Sequence, residues 1–147
     1  MTMPDASTFL QSPLGQGLTR EMLDQELQAQ GHWQGRYRLL MKLGSRMAPL
    51  PPECQSPEAE VTGCESRTWL YHRQIEGRHY FLADSEARIV RGLLVLVLAA
   101  CNGRSNRELA EVELEPWFRA LGLSDHLSPS RASGLHSVVQ AIRQHAA

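Results

Sequence analysis

The sequence predicts an α+β domain, with helices packed on one face of a small antiparallel sheet. Three features carry that expectation. Residues 67–74 and 79–83 are rich in Thr, Trp, Tyr, Ile and Phe and are separated by Glu76-Gly77, the pattern of a β-hairpin. The run from Gly92 to Cys101 is apolar almost throughout, as expected of a central helix buried on all sides. Ser or Thr stands in front of several helical stretches, where its side chain can cap exposed amide groups.

Residues 1–18 are polar and contain Gly and Pro, and are expected to form a flexible N-terminal arm; residues 19–147 then make a single domain. Thr19 caps a helix running to about Gln30, with Met22, Leu23 and Leu27 on its apolar face, and Gly31 ends it. Trp33, Tyr37, Leu40, Met41 and Gly44 fall at helical spacing, so residues 33–47 read as an amphipathic helix. Pro49, Pro51 and Pro52 stop it and open a long loop through Gly63. After the hairpin, Asp84 or Ser85 is expected to cap a helix ending near Cys101, with Asn102-Gly103 as its stop; its β-branched content leaves a buried strand as the rival assignment. Ser105 and Glu108 form a capping box for a short helix. Another short helix spans roughly Trp117 to Leu121 and ends at Gly122. Ser128, followed by Pro129 at the first helical position, opens the last helix, whose inward stripe is Leu135, Val138, Val139 and Ile142.

A length of 147 residues suits one domain with a substantial core. Fifteen basic and sixteen acidic residues leave a net charge of −1, so nothing points to nucleic acid as a partner. The longest apolar run is too short to span a bilayer, and no signal peptide is evident, so no membrane partner is expected. Three cysteines at wide spacing argue against a disulfide framework and for the reducing cytoplasm.

The most informative segment is Val61-Thr62-Gly63-Cys64-Glu65-Ser66-Arg67-Thr68-Trp69-Leu70. It places a lone cysteine behind a glycine and just before a strand, at a loop tip that a partner can reach. Gly63 can turn without a Cβ clash and helps such a loop move. Arg67 and Arg131 are both candidates to raise the thiolate fraction, with a solvated surface arginine favoured for Arg67. Trp69 and Leu70 face opposite sides of their strand, so one of them can shelter the thiol. Cys101 reads as core and Cys54 as a loop cysteine open to exposure, with a Cys54–Cys64 resolving pair as a minor alternative. Without C-x-x-C or H-x-x-x-H spacing, no metal site is expected, and the six histidines read as ordinary surface residues.

Four blocks, in order along the chain, resemble the SufE/CsdE family of sulfur acceptors. Trp33-Gln34-Gly35-Arg36-Tyr37 with Leu43-Gly44 resembles W-x-x-[KR]-Y and L-G; Gly63-Cys64 to Trp69 resembles the family's cysteine motif; Asp84 to Leu93 resembles D-S-x-x-x-I-V-[KR]-G-L; Leu127 to Leu135 resembles L-[ST]-x-S-R-x-x-G-L. The resemblance implies a fold shared with the scaffold protein IscU. It implies a persulfide-forming Cys64 held in a protected pocket, with Gly63, Arg67, Glu86 and Arg131 contacting the partner or the sulfur. Glu86 is expected in the first turn of the helix after the hairpin, favoured there by the helix dipole. The implied partners are a cysteine desulfurase, SufS-like or CsdA-like, and a downstream sulfur acceptor or Fe–S scaffold. The chain itself would be no enzyme and hold no cofactor, since pyridoxal phosphate belongs to the desulfurase it activates. The alternatives are a metal or Fe–S cluster scaffold of IscU-like fold, which needs several converging ligands, and a non-catalytic desulfurase adaptor.

Overall fold

The computed structural model describes residues 3–146; residues 1, 2 and 147, the outer ends of the expected arm and domain, lie outside the described residues. The elements run α1 (Ala6–Leu10), α2 (Arg20–Gln28), α3 (Trp33–Leu43), β1 (Thr68–Ile75), β2 (Arg78–Ser85), α4 (Arg88–Cys101), β3 (Arg104–Ser105), α5 (Asn106–Glu111), α6 (Leu114–Ala120), α7 (Leu123–His126) and α8 (Pro129–Gln144). Three short 3-10 turns, Gly44–Arg46, Pro52–Cys54 and Pro57–Ala59, bridge α3 to the sheet. The sheet is antiparallel in the order β1-β2-β3. Register runs from Thr68 opposite Ser85 to Ile75 opposite Arg78. The hairpin closes through Glu76 and Gly77 at φ 51° and 77°. Positive φ at both turn positions matches the twist of the flanking strands.

The period-2 alternation gives the sheet two apolar faces. Leu70, Phe81 and Ala83 pack with α4, every residue of which from Gly92 to Cys101 is buried. The amphipathic helices α2, α3, α6 and α8 close around α4 through Leu23, Leu27, Leu40, Leu43, Trp117, Phe118, Val138, Val139 and Ile142. Trp69, Tyr71, Tyr80 and Leu82 point the other way, into a smaller cluster with Phe9, Leu50, Cys54 and Ala59. The second face therefore has its own cover. Residues 3–18 of the expected flexible arm supply part of it: Asp5 caps α1, Phe9 is fully buried, and Leu14 joins the main core. Cys54, expected to be open to exposure, is buried in the same cluster.

The junction of β2 and α4 departs from expectation. Asp84 and Ser85 stay in the strand, and α4 starts at Arg88 with Ala87 as an N-cap lacking any side-chain cap bond. Asp84 is buried and is taken up by other donors. Its carboxylate accepts from the amides of Leu50 (2.9 Å) and Ser85 (2.8 Å) and pairs with Arg91. Arg91 also donates to the carbonyls of Gly44 (3.0 Å) and Met47 (2.6 Å). This junction ties the proline-rich segment to the central helix. Gly92 belongs to it, because a Cβ there would lie 2.1 Å from the Leu40 carbonyl oxygen. Two of the blocks noted in the sequence thus meet at one structural bolt.

The remaining caps follow the sequence. Thr19 accepts from the amide of Met22, Ser105 and Glu108 form a reciprocal capping box, and Ser128 accepts from the amide of Arg131. The helix expected over 33–47 ends at Leu43 and tightens into a 3-10 turn. The histidines are not all surface residues. His79 is buried, His72 Nε2 lies 2.7 Å from His79 Nδ1, and His79 Nε2 meets Asn106 Oδ1. Since the amide oxygen only accepts, His79 carries its proton on Nε2 and, when neutral, accepts from His72 at Nδ1. The ring of His145, the C-cap of α8, stacks on His72 with centroids 3.8 Å apart. The end of α8 is thereby clamped to the sheet.

Candidate functional site

Cys64 sits half-buried on the loop between the last 3-10 turn and β1. The loop leaves the sheet cleanly. The amide of Val61 donates to the carbonyl of Thr68 (2.8 Å), and Glu60 bridges to Trp69. At the tip, Gly63 adopts φ 92°, a left-handed conformation that L side chains disfavour. Cys64 then turns toward α8, where its thiol donates to the carbonyl of Gly134 at 3.5 Å.

The loop lies directly on the helix backbone at this point. A Cβ at Gly134 would stand 3.4 Å from Cys64 Sγ and 3.5 Å from Cys64 Cα, an ordinary contact, so α8 at Gly134 is the floor of the cysteine's seat. The thiol opens onto a cleft of about 390 Å³. Val90, Leu93 and Leu94 of α4 and Leu135 and Val138 of α8 form its apolar wall, and Glu65, Ser66, Ser128, Ser130 and Arg131 its polar rim. Removal from water pushes the Cys64 thiol above its ordinary range; the smaller opposing effect is a hydrogen bond with Thr68. At rest the sulfur is therefore a protonated, guarded thiol rather than a standing thiolate.

The expected site residues divide. Gly63 shapes the loop, but its left-handed turn is packed on α8, where the sequence suggested mainly freedom to move. Arg131 lines the same cleft as Cys64, in the first turn of α8. Arg67 turns to Glu60 (3.3 Å) and lies over the Trp69 ring at 5.3 Å, a surface pairing apart from the cleft. Glu86 is exposed and lies before the N-cap of α4, outside the first helical turn where it was expected, because the strand runs on to Ser85. Its amide donates to the Arg67 carbonyl (3.0 Å), so Glu86 flanks the start of β1 where the loop rejoins the sheet. Neither Trp69 nor Leu70 lines the cleft; α4 and α8 shelter the thiol instead.

Gly134 and the α4 wall are the parts the sequence reading passed over. A glycine inside a helix is costly relative to alanine by roughly 1 kcal/mol, which signals a close approach. The other two thiols are kept apart. Cys101 is buried in α4, where desolvation pushes its thiol up to about 12. Cys54 is raised by burial as well and borders a different cavity, between α1 and the proline-rich segment, so the structure does not bring it to Cys64 as a resolving partner. Among the described residues no group of three His, Cys, Asp or Glu is placed to hold a metal ion, and no helix is long and apolar enough to cross a membrane.

Comparison with known proteins adds three findings. The profile of SufE, the Fe-S metabolism associated domain, matches residues 21–146. The chain is 38% identical over 143 residues to the sulfur acceptor protein CsdE of Escherichia coli (strain K12), covering 97% of this chain and 95% of that one. The solution structure of a hypothetical protein from Thermus thermophilus shares the fold, with a TM-score of 0.65 at 20% identity over 84% of this chain and 92% of the other.

Proposed function

The chain belongs to the SufE family, and from that premise we propose that it is a sulfur acceptor that takes sulfane sulfur from a cysteine desulfurase onto Cys64. The observation that carries the assignment to Cys64 is its position: Cys54 and Cys101 are buried, whereas Cys64 borders an open cleft on a loop tip.

The chemistry is a thiol exchange. The Cys64 thiolate attacks the outer sulfur of the donor's persulfide, the donor's S–S bond breaks, and the donor thiolate leaves and takes up a proton. One Cys64 proton is released and one donor thiol is formed, so no oxidant or reductant enters. In the seat, the S–H bond rests on a carbonyl that cannot take its proton, and burial disfavours the thiolate. Reaction therefore requires the loop to leave Gly134. A partner drives that change only by binding the open loop more tightly than the closed one.

In this reading Arg131 and Glu86 belong to the surface the desulfurase covers, and Arg67 fixes the start of β1 between them. Pyridoxal phosphate resides on the desulfurase, which turns over faster when its persulfide is cleared. The sulfur is then handed on to iron–sulfur cluster assembly in the cytoplasm. Desulfurase turnover with wild type and Cys64→Ser tests the reading: stimulation should vanish in the variant, whereas Cys54→Ser and Cys101→Ser should retain it. Full stimulation by Cys64→Ser would remove the carrier mechanism.

A further inference from the structure

The ends of the Cys64 loop are tied to the sheet, while its tip is held by α8. The tip itself is a tight turn at residues 62 and 63. Two contacts join the tip to one face of α8. Cys64 donates to Gly134, and Gly63 lies against Ser137, one helical turn further along α8. A Cβ on Gly63 would stand 2.5 Å from Ser137 Oγ and 3.5 Å from Ser137 Cβ. Residues three apart on a helix share a face, so consecutive loop residues rest on consecutive positions of one stripe. The Ser137 hydroxyl is itself held in place, donating to the Ser133 carbonyl at 3.1 Å.

We infer that bare Gly63 and small Ser137 together form a steric catch for the thiol: the loop rests flush on α8, with Cys64 on Gly134, only while position 63 carries no side chain and position 137 a small one. The inference deepens the reading of Cys64 as the sulfur-bearing residue, but its consequences appear on the thiol itself, without any desulfurase. Two physical effects set the catch. A side chain at φ 92° is disfavoured by roughly tenfold, and a methyl group 2.5 Å from Ser137 Oγ must turn that hydroxyl away from its bond to the Ser133 carbonyl. Both penalties apply only to the seated loop. Any residue other than glycine at position 63 therefore shifts the population toward the open loop, where the thiol regains water and its ordinary acidity. Gly63 acts here as a lock more than a hinge.

The catch can be approached from either side. Gly63→Ala introduces both penalties. Adding Ser137→Ala removes the hydroxyl and leaves the next atom at 3.5 Å, an ordinary contact, so the double variant retains only the backbone penalty. Ser137→Leu adds bulk from the helix without altering the loop backbone, and leucine is the better helix former.

Iodoacetamide labelling of Cys64 in the full chain, timed across pH and read at peptide level, tests the inference. Gly63→Ala should label about tenfold faster at neutral pH, with the midpoint of its pH profile moved down toward an ordinary thiol. Gly63→Ala/Ser137→Ala should fall between it and wild type, Ser137→Ala alone should match wild type, and Ser137→Leu should be fast with its helical circular dichroism intact. Wild-type rates and midpoints in both Gly63→Ala and Ser137→Leu would overturn the catch, as would acceleration only in variants that have lost helical signal. If the variants behave as expected but Cys64 takes up no sulfur from a desulfurase, the catch stands and the functional reading falls.

Discussion

Asp84 and Cys64 each join a loop to a helix, and they are held very differently. The Asp84 carboxylate is buried, accepts from two backbone amides and pairs with an arginine that itself binds two carbonyls. Cys64 is half-buried, its thiol meeting a glycine carbonyl at 3.5 Å and the side chain of Thr68. The first junction has several charge-assisted bonds between groups largely removed from water. The second has a weak donor and two bare glycines, so opening it breaks little. A domain that must present a guarded atom to a partner needs both: a fixed frame, and one segment whose opening free energy is far below that of global unfolding.

The largest expected effect lies on the frame. Asp84→Ala leaves the Arg91 guanidinium largely buried without its counter-charge, which should cost about 3–5 kcal/mol and lower the melting temperature steeply. Replacing both partners by apolar residues, Asp84→Leu with Arg91→Met, should recover part of that loss. If Asp84→Ala melts no lower than Cys64→Ser, the contrast between bolt and seat is wrong.

A second effect concerns the anchorage of α8, on which the seat rests. Burial and the neighbouring rings of His145 and His79 hold His72 well below its ordinary 6.5, at about 4; burial, ahead of His79, lowers His145. A lowered folded value means the unfolded chain binds the proton first. The clamp's contribution is therefore intact above pH of about 6.5, falls between about 6.5 and about 4, and is flat below that window. His72→Gln should reduce the slope of melting temperature with pH across that window. Equal slopes in the two proteins would mean the histidine stack does not hold α8.

Much of the frame is legible in the residues. The Thr19, Ser105 and Ser128 caps, the Glu76-Gly77 turn and the apolar α4 all follow from local rules. The errors share a cause. Asp84 and Ser85 look like helix caps because their locally available partners are amides just ahead. The true partners of Asp84, Arg91 and the amide of Leu50, and those of Ser85, Thr68 and the Arg67 carbonyl, are brought in by tertiary packing. The same holds for Phe9, whose burial depends on a second sheet face, and for His79, whose partners lie on β1 and α5. At the site, the cysteine and its preceding glycine are visible in sequence, as is Arg131 through the resemblance of its block. Ser137 is not, and Gly134, though it stands in the same block, does not reveal the loop that lands on it, because both contacts are made by a segment distant in sequence.

The smallest effect on stability should come from Arg131. It is exposed in the first turn of α8, a helix already capped by Ser128, where a positive charge is slightly unfavourable. Arg131→Ala should leave the melting temperature unchanged while weakening stimulation of the desulfurase. A parallel loss of both would return Arg131 to the frame.

The claim that ties these regions together is that sulfur lands on Cys64. Incubating the full chain with a cysteine desulfurase and cysteine, trapping persulfides by alkylation and mapping them by mass spectrometry reads it directly. The peptide bearing Cys64 should gain the mass of a sulfur atom, while those bearing Cys54 and Cys101 remain unchanged. Sulfur on either of the buried cysteines with none on Cys64, or on no cysteine at all, would contradict the account.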